Sequence, residues 1–163
     1  MHIFVNVKLC TMHSETFVIQ SDKAKLPAVE ERLFQFCHEY NVGRYYSAVS
    51  VATLQAVQNA IVHGNGGNAE KKVTLTFGTC RGGIFVQVAD EGAGFDYKHF
   101  GMLPEDGTTT GEGIFVMRTL SDKMTYSDGG RCVRMEFVVE GIDPAEALER
   151  ITILQEHFAM VAA

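Results

Sequence analysis

Gln55, Asn59 and His63 recur at every fourth position. On a helix this spacing stacks two amides and an imidazole on one side, about one turn apart. Leu54, Val57 and Ile61 fall on a neighbouring stripe, free to face a core. Solvent exposure alone also produces such a polar side. A second candidate is Asp90-Glu91-Gly92-Ala93-Gly94-Phe95, directly after the apolar run Val86-Gln87-Val88-Ala89. An acid at a strand end, with glycines two and four residues later, makes a tight loop of little bulk that a ligand can approach closely. The carboxylate can accept a hydrogen bond from an exocyclic amine such as that of adenine. The same spacing also serves as an ordinary turn. The third candidate is Thr110-Gly111-Glu112-Gly113-Ile114-Phe115-Val116-Met117. Glycines opening a helix leave backbone N–H groups free for phosphate, or form a plain loop-to-helix junction.

The elements that must position these residues follow from periodicity. Residues 3–9 and 15–20 are β-rich and partly alternating, which predicts a first hairpin. Pro27 opens a helix whose apolar stripe is Val29, Leu33, Phe36, Cys37 and Tyr40, and Asn41-Val42-Gly43 ends it. A second helix spans about 45–63 and stops at the run Gly64-Asn65-Gly66-Gly67-Asn68. Strands follow at about 72–78 and 83–89 around a turn at Gly82. An irregular stretch rich in Gly, Thr and acids runs from 90 to 111, then a short apolar helix covers 113–121. Two more strands, 123–127 and 131–139, flank Ser127-Asp128-Gly129-Gly130. Pro144 begins a final helix with a predicted buried face of Leu148, Ile151, Leu154, Phe158 and Val161. Hairpins with helices between them predict an α+β two-layer sandwich, a mainly antiparallel mixed sheet with helices on one face. Residues 1–142 form one domain with an N-terminal hairpin. Residues 143–163 add an amphipathic helix that docks on the sheet's open face or mediates a homodimer.

Composition narrows the function classes. The chain has 163 residues, a net charge of −6 and 46% hydrophobic residues. That acidic balance disfavours direct nucleic-acid binding, which runs on clustered Lys and Arg. No apolar run approaches the ~20 residues that span a bilayer, and the N-terminus lacks the pattern of a signal peptide, so the cytoplasm is the expected compartment. Cys10, Cys37, Cys80 and Cys132 are scattered without metal or dithiol spacing and are expected to be reduced thiols.

The three candidates, in this order and with these gaps, resemble the ATP-binding superfamily shared by gyrase, histidine kinases and MutL. The segments Asn59-Ala60-Ile61-Val62-His63-Gly64-Asn65, Gly113–Asp122 and Gly130-Arg131-Cys132-Val133-Arg134-Met135 look like its anti-sigma-factor serine kinase branch in particular. The resemblance covers about residues 15–139. It implies ATP and Mg²⁺ as cofactors, with Asn59 as the Mg²⁺ ligand and Asp90 reading the adenine amino group. Gly92 and Gly94 would let base and sugar lie against the backbone. Thr110, Gly111 and Gly113 would face the phosphates, 96–110 would be the lid, and His63 would sit at the rim. A sigma factor or an antagonist of one is the implied protein partner.

The departures from that branch are as informative. Gln55 stands where a Glu acts as general base, and no other acid lies between Tyr40 and Glu70. Glu112 replaces an Arg common near the phosphates, and Glu105 and Asp106 add acids to a short lid. Cys132 stands where a Thr helps hydrate the adenine pocket. Three readings follow: a serine kinase acting on a small antagonist, a module that binds nucleotide and sequesters a partner with little catalysis, and a histidine kinase catalytic domain. The last has only His38-Glu39 as a candidate phospho-acceptor.

Overall fold

The computed structural model describes residues 13–99, 111–139 and 144–162. The predicted strand at 3–9, Thr110, Glu105 and Asp106 lie outside them. Strand β1 (Ser14–Gln20) leads into helix α1 (Leu26–Glu39), and α2 (Tyr46–Asn59) runs back beneath the sheet. Two helices, one out and one back, return the chain so that β2 (Lys72–Cys80) pairs antiparallel with β1. A tight turn at Gly82 then gives β3 (Gly83–Asp90). Helix α3 (Glu112–Leu120), strands β4 (Lys123–Ser127) and β5 (Cys132–Val138), and helix α4 (Pro144–Ala162) complete the described chain.

The sheet order is β1-β2-β3-β5-β4. A single helix joins β3 to β4, so those two strands run in the same direction, but β5 lies between them. Every hydrogen-bonded pair of described strands is therefore antiparallel, as expected of a mainly antiparallel sheet with helices on one face.

One face of the sheet carries the core. Val73, Leu75 and Phe77 of β2, Val86 and Val88 of β3, and Met135 of β5 are buried against the helices. Helix α1 buries Val29, Leu33, Phe36 and Cys37, four of the five residues its periodicity predicted, and Phe36 stacks between Tyr40 and Phe77. Burial pushes the Cys37 thiol up to about 11, as befits an inert core thiol. Helix α2 lies between α1 and α3 and buries small residues, Ala52, Thr53, Ala56 and Val57, which let both neighbours approach.

The end of α2 matters most for the site. Its regular turns stop at Asn59, and Ala60–Gly64 form a wider turn in which the Asn65 N–H reaches back to the Ala60 carbonyl at 2.7 Å. This is a π-type turn, a departure from the uninterrupted helix predicted over 45–63. It delivers the buried Asn65 side chain to two strands at once. Its Nδ2 donates to the Lys72 carbonyl at 2.9 Å, and its Oδ1 accepts from the Glu91 N–H at 2.8 Å. One amide thus joins α2 to the start of β2 and the end of β3.

Helix α4 begins at Pro144 as predicted but packs against α3 rather than on the sheet's open face. The reason is Phe115, an outward residue of α3 that is only 6% exposed because the His157 ring covers it at 4.8 Å. Of the predicted face, Leu154 packs on the core while Phe158 (46% exposed) and Val161 (61% exposed) face outward. The side chains of Leu148 and Ile151 lie outside the described residues.

Replacing Asn65 by Ala removes both cross-element bonds without touching the cleft. The expected loss is on the order of 2 kcal/mol, the cost of leaving buried polar groups unpaired. Urea unfolding of N65A measures it; an unchanged midpoint would refute the tie.

Candidate functional site

The three sequence candidates converge on one cleft, bounded by the end of α2, the end of β3 and the start of α3. Its volume is about 330 Å³, within the roughly 300–1,000 Å³ of small-ligand sites. Asn59 and His63 line it from α2, Asp90 and Gly94 from the loop after β3, and Gly111 and Gly113 from the mouth of α3. The sheet supplies an apolar floor through Val88, Tyr126 and Val133, and α3 an apolar wall through Ile114 and Met117.

Asp90 is oriented by its neighbours. Its Oδ1 accepts the Gly92 N–H at 2.8 Å. A Cβ at Gly64 would sit 2.3 Å from the Asp90 carboxyl carbon, and one at Gly92 would sit 1.9 Å from the Gly64 carbonyl oxygen. Gly92 does not line the cleft. Its small size serves the protein's own packing, a correction to the expectation that it lies against base or sugar. Gly94 does line the cleft. It has φ of +79°, and a Cβ there would meet the Gly129 carbonyl oxygen at 2.2 Å. The Phe95 N–H donates to that same oxygen at 3.0 Å, so the loop after β3 is clamped to the β4–β5 turn.

The opposite end of the cleft is the first turn of α3. Helix α3 starts at Gly111 with φ of +89°, and among the described residues no side chain caps its first N–H groups. Such a terminus favours phosphate. A Cβ at Gly113 would lie 3.1 Å from the Asn59 amide and 3.1 Å from Gln55 Oε1. The two amides of α2 therefore face the first turn of α3 closely. Gln55 stands behind this contact without lining the cleft. Glu112 turns away. Its Oε1 lies 3.4 Å from His157 Nε2, an ion-pair distance without hydrogen-bond geometry. The acid predicted to burden the phosphate end is therefore directed towards α4.

Cys132 is not at the cleft. Strand side chains alternate, and β5 sends Val133 to the helix side and Cys132 to the opposite face. The expected role of Cys132 in the base pocket fails on that parity. Its neighbour Arg131 lines the cleft instead. Phe95 and Tyr126 also escaped sequence reasoning. Tyr126 pairs in register with Val133, so its inward face was readable once β4 and β5 were aligned. Tyr126 packs edge-on to Phe95 at 5.2 Å and stacks with Tyr97 at 5.1 Å.

Burial raises the Asp90 pKa, opposed by the Gly92 N–H and by the charges of Arg131 and Lys71. Burial also pushes Tyr126 up to about 12, leaving it a neutral phenol at physiological pH.

A family model for the histidine kinase-like ATPase domain matches residues 19–137. The chain belongs to that family. No curated protein matches the chain. The matched segment runs from the end of β1 to the end of β5 and leaves out α4. Membership supports an ATP-binding regulatory function and implies a nucleotide, generally with Mg²⁺. The residues fit that pair. The described residues hold no cluster of three or more His, Cys, Asp or Glu that could cage a metal. Mg²⁺ needs none, since it keeps waters and takes phosphate oxygens beside one or two protein ligands. Asn59, facing the α3 terminus, is placed to be such a ligand. Among the described residues no helix is long and apolar enough to cross a membrane.

The Asp90 shift gives a pH dependence of known sign. The raised pKa means that the fold disfavours the ionised carboxylate, so this group costs stability as pH rises and the cost is relieved as pH falls through the folded pKa. Base recognition would run the other way, because the ionised carboxylate is acceptor-only and accepts more strongly from an amino group than the protonated carboxyl does. Adenine-nucleotide affinity is expected to drop on acidification, starting above the pH of an ordinary aspartate. Asp90→Asn should bind more weakly and lose that dependence. Calorimetric titrations across the acid range check it, and identical profiles for both proteins would remove Asp90 from base recognition.

Proposed function

We propose that this chain is an ATP-binding regulatory protein of the anti-sigma-factor serine kinase type. It acts chiefly by holding a protein partner, with phosphotransfer weak or absent. The observation that carries the reading is Gln55. With Asn59 it faces Gly113, behind the end of the cleft that would take the phosphates, and it is an amide where a base is needed. Asp90 would take the base amino group, the first turn of α3 would take the phosphates, and Asn59 would hold Mg²⁺. The ion would screen the phosphate charge while the chain fixes the nucleotide's position.

Transfer to a serine needs a group that accepts the hydroxyl proton as the oxygen attacks the γ-phosphate. Gln55 has no basic site at neutral pH. Helix α2 carries no acid. Glu112, the acid nearest in sequence to the phosphate end, is directed at His157. Grip without a base fits a module whose nucleotide state governs a partner, a sigma factor or its antagonist, in the cytoplasm. The histidine kinase reading is disfavoured by His38. It sits on α1, which is packed into the domain through Val29, Leu33, Phe36 and Cys37 and is not an independent dimerising helix.

Titration with MgATP tests the grip. Binding should raise the thermal midpoint, by about 2.7 kcal/mol of stabilisation at a hundredfold excess over Kd. No shift at millimolar MgATP would sink the nucleotide reading. Asn59→Ala should abolish the Mg²⁺ dependence of binding. Gln55→Glu should raise phosphotransfer to a cognate serine substrate, up to the ~10²–10⁴-fold of a general base. An unchanged rate would show that the missing base is not what limits the protein.

A further inference from the structure

Helix α4 lies outside the segment shared with the family, yet it packs on the helix whose first turn bounds the cleft. Glu112 and Phe115 of α3 are three residues apart, so they share one face of that helix. His157 of α4 meets both. Its ring lies 4.8 Å from the Phe115 ring, and its Nε2 faces Glu112 Oε1 at 3.4 Å. The two side chains are only 15% and 26% exposed, so water and salt screen their interaction less than they would at an open surface. His157 Nε2 is buried and makes no hydrogen bond to a described residue. An unpaired buried polar atom is costly, and an apolar side chain would cover Phe115 without that cost. Packing alone therefore does not account for an imidazole here. The group that it faces is a carboxylate.

Glu112 holds a sensitive position. It is the first residue of α3 and stands between Gly111 and Gly113, which both line the cleft. The positive end of a helix dipole favours a carboxylate in the first turn, and it favours a phosphate there too. The two would compete for one terminus, and like charges a few ångströms apart repel. In this structure the competitor is aimed at α4.

We propose that His157 is a positioning residue: its Nε2 holds the Glu112 carboxylate on the α4 side of α3, so that phosphates meet the helix terminus without a competing charge. The inference rests on the nucleotide reading of the cleft. It makes affinity for the phosphates, and not for the base, depend on a helix outside the shared domain.

Two substitutions separate the nitrogen from the ring. His157→Phe keeps a ring for Phe115 and removes the nitrogen. His157→Gln keeps an N–H donor for Glu112 and removes the ring. The full chain is titrated calorimetrically with MgATP and with adenosine, which lacks the phosphates. His157→Phe should weaken MgATP binding by about fivefold, the size expected of one charge at a helix terminus, and leave adenosine binding as it was. His157→Gln should keep MgATP affinity close to that of the wild type. Adding Glu112→Gln to His157→Phe should remove the loss. His157→Leu serves in place of phenylalanine if that variant has a lowered thermal midpoint. Unchanged MgATP affinity in His157→Phe would overturn the proposal and leave the nucleotide reading intact. So would a loss that persists with Glu112→Gln or that adenosine shares, since either traces the effect to packing on Phe115. Failure of the wild type to bind MgATP would overturn both.

Discussion

The site depends on how closely two backbones meet. The carbonyl of Gly64, at the end of α2, abuts Gly92, just past the end of β3, with the Asp90 carboxylate wedged against both. Neither glycine has room for a methyl group. This contact fixes the distance between the helix that carries Asn59 and the strand that carries Asp90, and so the length of the cleft between Asp90 and the first turn of α3. The wide turn at Ala60–Gly64 brings the carbonyl there, and the Asn65 amide locks the approach by bonding both strands.

At the other end, the same logic recurs with different partners. Gly113 lets the first turn of α3 press against the amides of Gln55 and Asn59. Small residues on α2, Ala52 and Ala56 among them, allow that approach along the length of the helix. The cleft is thus the gap left where three elements come as near as their side chains permit, floored by Val88, Val133 and Tyr126. A polar rim over an apolar floor suits a flat base with a charged tail.

Much of this was legible in the sequence because it rests on spacing. The four-residue repeat does bring the amides of Gln55 and Asn59 beside the first turn of α3, although His63 lies beyond α2 in the wide turn, and the stripe of α1 is buried as its period requires. Asp90 ends its strand, and Gly111 and Gly113 open α3. What was not legible depends on parity and on long-range register. One step along β5 separates Arg131, in the cleft, from Cys132, on the far face, and no local pattern fixes that step until Val133 is paired with Val88 and Tyr126. The role of Gly92 was likewise hidden, because its steric partner, Gly64, is distant in sequence. The outward turn of Phe158 and Val161 was missed because, among the described residues, α4 packs mainly on α3, and a helix covers a narrower stripe than a sheet would.

The packing of α4 has a bearing on where this family's unit can be cut. The matched segment stops at residue 137, yet α3 reaches beyond it for a neighbour: His157 lies over Phe115 and across from Glu112. A protein trimmed to the family boundary would keep every cleft residue. It would also bare an aromatic ring on the back of the helix whose front lines the cleft, and release a carboxylate at that helix's first turn. The shared domain and the piece of this chain that covers α3 are therefore different lengths, and the difference falls on the helix whose first turn bounds the cleft.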